Sequence, residues 1–138
     1  MTGKRLPRVK KKDRVRIDAA VREAEAKTGL QFCVFLGPAA DDTRSYAEAA
    51  FARAGLAARP AVLVLVAPEQ HRVEIVTAPD ARARLTDDEC AAALDLMKPY
   101  FAQDQFVDGL LVGINELAER TGPGRAPDDG TDLPNVLS

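Results

Sequence analysis

The stretch from Ala61 to Ala67, Ala-Val-Leu-Val-Leu-Val-Ala, decides the fold, because it holds seven apolar residues in a row and Pro68 follows it directly. A half-exposed strand would alternate polar and apolar residues, and a helix would need about ten or more residues. The stretch is therefore predicted to be a strand that is buried on both faces. The rest of the chain must therefore pack against both faces of this strand.

The next segment, Arg72 to Thr77, does alternate polar and apolar residues. Such alternation is typical of a strand with one wetter face. Only residues 68–71 separate this segment from the central stretch, and the proline at their start favours a tight turn. We therefore predict an antiparallel hairpin.

Upstream of the central stretch, the pattern predicts a helix, a strand and a second helix. Apolar residues recur at helical spacing from about Arg14 to Thr28, and Gly29 follows as a C-terminal cap. Residues 31–36 form a second apolar strand, and residues 43–54 carry an apolar stripe of helical period. A strand, helix and strand in succession join parallel neighbours by a right-handed crossover, so the sheet is predicted to be mixed.

Downstream of the hairpin, residues 81–85 are predicted to form a short helical turn. Thr86 and Glu89 have the spacing of a capping box, which begins a helix. Pro99 is expected to kink or end that helix near Tyr100, because proline cannot continue the hydrogen-bond ladder.

The last predicted helix runs from a cap at Asp104 to about Arg120. Gly109 and Gly113 lie four residues apart on it, which indicates close packing, and we expect that packing to be onto the sheet. From Thr121 onward glycine, proline and aspartate dominate, and this composition predicts a disordered tail.

Charge divides the chain into an arm and a body. The 138 residues are enough for one domain with a buried core. Residues 1–16 carry eight Lys or Arg against one acid, a net charge of +7, whereas residues 17–138 carry eleven bases against twenty acids, a net charge of −9. We predict a basic flexible arm at 1–13, a folded domain at 14–120 and a disordered tail at 121–138.

The arm holds the candidate binding residues of the chain. A basic segment can attract the phosphates of nucleic acid or acidic lipid head groups, and the alternative is a solvated tail before the first helix. No aromatic residue lies in the arm to stack on bases, so any nucleic-acid contact would be non-specific. The candidate residues for polyanion contact are Lys4, Arg5, Arg8, Lys10, Lys11 and Lys12.

Targeting signals are not recognised in this sequence. The basic start leads into a charged amphipathic segment instead of the apolar region of a secretory signal. No stretch approaches the roughly eighteen apolar residues that span a bilayer. We therefore expect a cytoplasmic protein without a transmembrane segment.

Residue types that often carry chemistry have structural explanations here. Cys33 and Cys90 fall in apolar patterns and are interpreted as small buried hydrophobes. Asp41 and Asp42 precede a helix, where they can cap it or bind a divalent cation. His71 is predicted to be an exposed turn residue. No catalytic residue, cofactor or metal site is predicted.

Taken in order, these segments resemble the TPM domain, and most of all an uncharacterised soluble bacterial branch of that family. The resemblance covers residues 14–120 and rests on the order and spacing of short motifs. The motifs are Glu-Ala-Glu-Ala-Lys-Thr-Gly at 23–29, Ser-Tyr-Ala at 45–47, the strand at 62–67, Arg-Val-Glu-Ile at 72–75, Leu-Thr-Asp at 85–87 and Gln-Phe-x-x-Gly-Leu at 105–110. The resemblance implies an α/β fold: an α/β/α sandwich of about four helices on a small mixed sheet of three to four strands.

The activity of the family does not follow from this resemblance. Family members include a plant thylakoid protein assigned acid phosphatase activity and membrane-linked accessory proteins. The family pattern has an acidic loop before the central strand and a glycine-rich turn after the third strand. This chain has Ala-Ala-Arg-Pro at 57–60 and Thr-Ala-Pro-Asp at 77–80. The two loops are predicted to meet at one end of the sheet, but without the family's acids.

The sequence favours a non-catalytic, soluble TPM-like domain that acts by binding or scaffolding, with a protein partner of unknown identity. Two alternatives stay open. The first is a divalent-metal-dependent phosphatase, and the second is a basic-armed accessory protein for nucleic acid or acidic membrane surfaces.

Overall fold

A computed structural model describes residues 10–124 of the chain. Three strands and five helices follow one another in it, with single 3₁₀ turns at Leu56–Ala58 and Pro68–Gln70. In chain order the elements are α1 (Lys11–Thr28), β1 (Gln31–Leu36), α2 (Thr43–Arg53), β2 (Ala61–Ala67), β3 (Arg72–Thr77), α3 (Pro79–Arg82), α4 (Asp87–Ala102) and α5 (Phe106–Thr121).

The three strands form one mixed sheet in the order β1, β2, β3. β1 runs parallel to β2, and α2 lies between them in the chain. β3 runs antiparallel to β2, with Ile75 opposite Val64. The turn between β2 and β3 starts at Pro68 and ends at His71, which has a left-handed φ of 52°. The predicted hairpin and the predicted parallel pair are both confirmed.

β2 lies between two apolar cores. Val64 belongs to the core that β2 forms with α1, α4 and α5, whereas Leu63 and Leu65 belong to the core that it forms with α2. Every residue of β2 is buried, and Leu65 is 0% exposed. The prediction of a strand covered on both faces is confirmed, and the architecture is an α/β/α sandwich.

The folded part extends further than predicted at both ends. α1 begins at Lys11, so Lys11 and Lys12 belong to this helix and not to the arm. A salt bridge of 3.2 Å between Arg16 and Asp13 supports its first turns. At the other end, α5 continues to Thr121 and the chain stays packed to Gly124. The rest of the predicted arm and tail, residues 1–9 and 125–138, lies outside the described residues.

Pro99 does not end α4, which continues to Ala102. A proline in a helix interior removes one backbone donor and costs about 3 kcal/mol. Met97 and Phe101 flank it and are buried at 0% and 2% exposure, so their packing holds the helix together across the proline. The predicted capping box at the start of the helix is confirmed.

Gly109 and Gly113 bring α5 close to α4. A Cβ atom at Gly113 would overlap with the side chain of Met97, and one at Gly109 would lie 2.5 Å from the ring of Phe101. Carbon atoms in ordinary contact are about 3.5 to 4.0 Å apart, so only glycine permits this approach. The predicted close packing is confirmed, but the expectation that the glycines face the sheet is wrong.

Candidate functional site

Two loops meet where the parallel strands β1 and β2 begin, and we name this region the amino end of the sheet. It consists of residues 28–31, 56–61 and 77–85. The N–H of Ala78 donates to the carbonyl oxygen of Ala61 at 2.9 Å, so the loop after β3 touches the start of β2. This contact confirms the predicted meeting of the two loops at which the chain departs from the family pattern.

Two arginines of the amino end bind groups at the ends of strands. Arg59 donates from Nη1 to Oε1 of Gln31, at the start of β1, over 3.4 Å. Arg82 donates from Nη2 to the carbonyl oxygen of Thr77 over 3.2 Å and from Nε to its Oγ1 over 3.4 Å. Guanidinium groups therefore lie in or beside the two loops at which this chain departs from the family pattern.

A third arginine, Arg84, ties together the C-terminal ends of α1 and α5. Its Nη1 donates to the carbonyl oxygen of Thr28 at 2.6 Å, and its Nη2 donates to that of Gly122 at 3.1 Å. The last carbonyls of a helix have no intrahelical partner and carry partial negative charge, so one cation stabilises both ends. A Cβ atom at Gly124 would lie 2.5 Å from the backbone carbonyl oxygen of Thr28, which explains a glycine there.

The amino end of the sheet is positively charged. Within residues 10–124, Arg59, Arg82 and Arg84 form no ion pair with a carboxylate. The acid in these loops is Asp80, and it is exposed. A divalent cation takes several oxygen ligands, mostly from carboxylates. The described residues contain no group of three His, Cys, Asp or Glu placed to hold a metal ion.

Asp42 lies at the opposite end of the sheet and caps α2. Its Oδ1 accepts the N–H of Ser45 at 3.0 Å, and its Oδ2 accepts the hydroxyl of Ser45 at 2.9 Å. These bonds favour the carboxylate and lower the pKa of Asp42. The capping interpretation is confirmed for Asp42, whereas Asp41 is exposed and has no hydrogen bond to residues 10–124.

Two loops at this opposite end are joined by His71 and Asp104. The His71 Nε2 atom lies 2.8 Å from Oδ1 of Asp104, and the two side chains are 51% and 72% exposed. The exposed position predicted for His71 is therefore found. Asp104 is not the cap of α5, because its φ of 61° is left-handed and the N-cap is Gln105. The pairing joins residues that are 33 apart in the chain, so local sequence carries no signal for it.

Glu74 is the polar residue that the sequence placed wrongly. Its position on β3 was predicted to lie on a wetter face, but α2 covers that face and Glu74 is 8% exposed. Thr43 at the start of α2 donates its hydroxyl to Glu74 Oε2 at 2.6 Å. Arg72 lies 3.4 Å and Arg44 3.8 Å from the same carboxylate. This network fastens α2 to β3 and leaves the carboxylate no open side.

The two cysteines are free thiols with raised pKa values. Burial raises the pKa of Cys90 to about 11, and this side chain is 7% exposed. Cys33 is half-buried, and burial together with the Glu25 carboxylate raises its pKa. Because the thiolate is the reactive form, neither environment activates the sulfur atom.

Three of the candidate polyanion residues lie within the described part of the chain. Lys10, Lys11 and Lys12 are exposed, at and just before the start of α1. The other three, Lys4, Arg5 and Arg8, lie outside the described residues. In residues 10–124, no helix combines the length and the apolar content that crossing a bilayer requires.

Comparison with known proteins gives one family. A family model described as the TPM domain matches residues 9–120. Uncharacterised proteins of two Mycobacterium tuberculosis strains, CDC 1551 and H37Rv, are each 30% identical to the chain over 116 residues. The matches cover 81% of this chain and 66% of each relative, so the chain spans just under two thirds of their length.

Solved structures have the same fold. The NMR structure of the BA42 protein from Bizionia argentinensis has a TM-score of 0.82 at 24% identity and covers 98% of this chain and 97% of that one. The N-terminal domain of a P. gingivalis protein has a TM-score of 0.71 at 17% identity, with 80% and 74% covered. The N-terminal domain of the cg2496 protein from Corynebacterium glutamicum has a TM-score of 0.67 at 15% identity, with 91% and 84% covered.

Proposed function

The chain belongs to the TPM domain family, as its sequence motifs predict, and from this premise we propose that it is a non-catalytic binding domain. The observation that carries the proposal is the set of arginines at the amino end of the sheet. Arg59, Arg82 and Arg84 stand in or beside the two loops at which the family pattern has acidic or glycine-rich sequence. The side chains there are positively charged, whereas a cation site requires negatively charged ligands.

This charge argues against a metal-dependent phosphatase at the amino end. A divalent ion there would need several carboxylate oxygens and would be repelled by the fixed guanidinium groups. The donors of Arg84 are engaged by the ends of two helices, so this side chain cannot turn away without exposing those carbonyls. The amino end is instead suited to carboxylates or other anionic groups of a partner.

Purified protein is expected to hydrolyse p-nitrophenyl phosphate no faster than buffer does, with Mg²⁺, Mn²⁺ or Ca²⁺ present. The physical reason is that positively charged side chains stand where metal ligands would be needed. Asp80→Ala and Asp41→Ala are measured beside the unchanged protein. These two exposed acids lie at opposite ends of the sheet, so a metal-dependent site at either end would lose activity in one of the variants. Metal-stimulated turnover that either substitution abolishes would overturn the proposal.

The start of α1 favours a second candidate function, contact with polyanions. Lys10, Lys11 and Lys12 are exposed and form no ion pair within residues 10–124. Positive charge at a helix N-terminus also opposes the helix dipole, so an anion bound there would relieve an unfavourable interaction. Contact with nucleic acid or with acidic membrane surfaces through this segment is therefore our second proposal.

Replacing Lys10, Lys11 and Lys12 together by glutamine is expected to reduce the salt dependence of binding to duplex DNA or to acidic vesicles. Each phosphate contact contributes roughly 0.9 to the slope of log K against log salt for duplex DNA, so up to about three contacts would be lost. The substitution is preferred to deleting residues 1–12, because that deletion would remove the first two residues of α1. Lys98→Gln on α4 is the control, and equal binding by all three proteins would refute polyanion contact.

A further inference from the structure

β1 is an edge strand with backbone groups that point away from the sheet. The N–H of Gln31 donates to Pro60 at 2.9 Å, and the N–H of Gly37 donates to Val66 at 3.0 Å. These two bonds set the phase of the parallel ladder, so odd-numbered residues of β1 bind β2. The residues whose N–H and C=O groups face outward are Phe32, Val34 and Leu36.

The outer edge of β1 is closed at its start and open over the rest. Glu25 on α1 accepts the outward N–H of Phe32 through Oε2 at 3.0 Å. Within residues 10–124, the outward groups of Val34 and Leu36 have no hydrogen-bond partner. A row of unpaired backbone groups is a template for another strand. About half of β1 is therefore available for strand pairing.

The other edge of the sheet, β3, is covered at two of its outward carbonyls. Arg44 donates from Nη1 to the outward carbonyl of Ile75 at 2.8 Å, and Arg82 does the same to Thr77 at 3.2 Å. Side chains from two helices thus occupy the edge of β3. The two long side chains stand in the way of an incoming strand at β3, so β1 is the more accessible of the two edges of the described sheet.

An apolar surface lies beside the open edge. α2 packs over β3 and β2 and leaves the β1 side of that face partly uncovered. Cys33 and Phe35 are consequently half-buried, and the ring of Tyr46 lies 5.9 Å from that of Phe35. A strand added along β1 would place alternate side chains on this surface. The surface favours apolar residues in the added strand.

Charge at the start of β1 sets the direction of the added strand. Arg59 contacts Gln31 there, and Arg22 on α1 attracts the carboxylate of Glu25, the acid that binds the outward N–H of Phe32. Arg22 therefore offsets the charge of Glu25, whereas Arg59 forms no ion pair within residues 10–124. In an antiparallel pairing, the carboxyl end of the added strand lies at the start of β1. An acidic residue at that end would be complementary to Arg59.

We propose that β1 binds an extended peptide segment of a partner protein by antiparallel strand addition. The segment pairs its backbone with Val34 and Leu36, covers Phe35 with an apolar side chain and places an acidic residue of its carboxyl end beside Arg59. Backbone bonds supply affinity in this mode of recognition, and side-chain pockets supply specificity. The inference rests on the proposed binding function and names the chemistry of its partner.

The test uses the full chain and a synthetic peptide of seven residues, with alternating threonine and valine and a carboxyl-terminal aspartate. Nitrogen-15 spectra recorded at up to about 1 mM peptide detect even weak complexes. The amides of Val34 and Leu36 are expected to shift and to exchange with solvent more slowly, because they become hydrogen-bonded; at 1 mM peptide the slowing is about tenfold for a Kd of about 0.1 mM. The outward amides of Val73 and Ile75 on β3 are expected to stay unchanged.

Matched changes separate backbone pairing from charge. A peptide that is N-methylated at its central residues keeps its side chains but loses backbone donors, so its binding is expected to vanish. Arg59→Gln is expected to weaken binding of the aspartate peptide about three- to tenfold, since one charge-assisted contact is lost. Lys98→Gln removes the same charge from α4 and is expected to change nothing. A peptide ending in asparagine amide should bind wild type and Arg59→Gln equally.

Three results would overturn strand addition. The first is that the amide signal of Val34 does not shift when peptide is added, and the second is that the N-methylated peptide binds as well as the unmodified one. The third is that the Val34 amide exchanges slowly without peptide while the molecular mass of the protein in solution rises with its concentration. The last result would mean that a second copy of the chain occupies the edge. Turnover of p-nitrophenyl phosphate is measured separately, so failure of strand addition leaves the binding-domain proposal standing. That proposal is overturned by metal-stimulated turnover that Asp41→Ala or Asp80→Ala abolishes.

Discussion

Leu65→Ala is expected to lower the free energy of unfolding by about 2 to 5 kcal/mol. Leu65 is 0% exposed in the middle of β2 and packs in the core beneath α2. The substitution removes buried apolar surface and leaves a cavity, because a central strand that is paired on both sides cannot collapse to fill it. Urea denaturation followed by circular dichroism measures the loss.

The cross-strand neighbour of Leu65 adds to this cost. Leu65 lies opposite Glu74 in the antiparallel register, on the face that α2 covers. A smaller side chain there admits water toward the Thr43 and Glu74 pair, which is otherwise shielded. Water then competes with the hydrogen bond between the Thr43 hydroxyl and the Glu74 carboxylate, and the attachment of α2 to β3 weakens.

Leu96→Ala is the matched control, since it makes the same chemical change on the surface of α4. Leu96 is 46% exposed, so the substitution is expected to change stability by no more than about 0.5 kcal/mol. Equal losses for the two variants would contradict the placement of β2 between two helical layers. A loss at Leu65 below about 1 kcal/mol would do the same.

The sequence predicts the sheet well because its strands have unambiguous patterns. An apolar run as short as Ala61 to Ala67 fits only a strand with two covered faces, and Pro68 fixes where it ends. The parallel pairing of β1 follows from the helix that intervenes in the chain. The capping box at Thr86 is equally local, because both of its partners lie within one helical turn. Local patterns therefore determine the element order and the sheet topology.

The candidate site depends on contacts between distant parts of the chain, and no local pattern encodes them. Arg84 binds carbonyls of Thr28 and Gly122, residues that are 56 and 38 positions away. The alternation of residues in β3 predicts that Glu74 lies on the face opposite to Val73 and Ile75. It does not indicate that α2 covers this face. The signal that the sequence does carry is Ala-Ala-Arg-Pro at 57–60, where the family pattern has an acidic loop.

For the two glycines of α5, the sequence predicts part of the packing but not all of it. Their spacing of four residues correctly predicts a close approach, because both fall on one side of a helix. The element that packs against the two glycines depends on how α4 and α5 are arranged in the fold. The sequence pattern alone fits packing against the sheet as well as packing against α4. The partner is α4, where Met97 is 0% exposed and stands against Gly113.

Gly113→Val is therefore expected to destabilise the protein by about 1 to 3 kcal/mol, and Met97→Ala by about 2 to 5 kcal/mol. The first variant forces a side chain into the space of Met97, and the second leaves that space empty. The double variant is expected to lose about 0.5 to 3 kcal/mol less than the sum of the two, because valine then occupies the vacated volume. Urea denaturation of all four proteins measures this coupling.

Asn115→Val provides the control for the helix itself. Asn115 is exposed on the same helix, so valine there brings the same β-branched side chain without a steric conflict. Its effect is expected to add to that of Met97→Ala within about 0.5 kcal/mol. If Gly113→Val and Met97→Ala were additive as well, the glycines would not face α4, and packing against the sheet would be the better description of α5. Coupling confined to Gly113 would instead establish that this glycine determines how closely α5 approaches α4 at Met97.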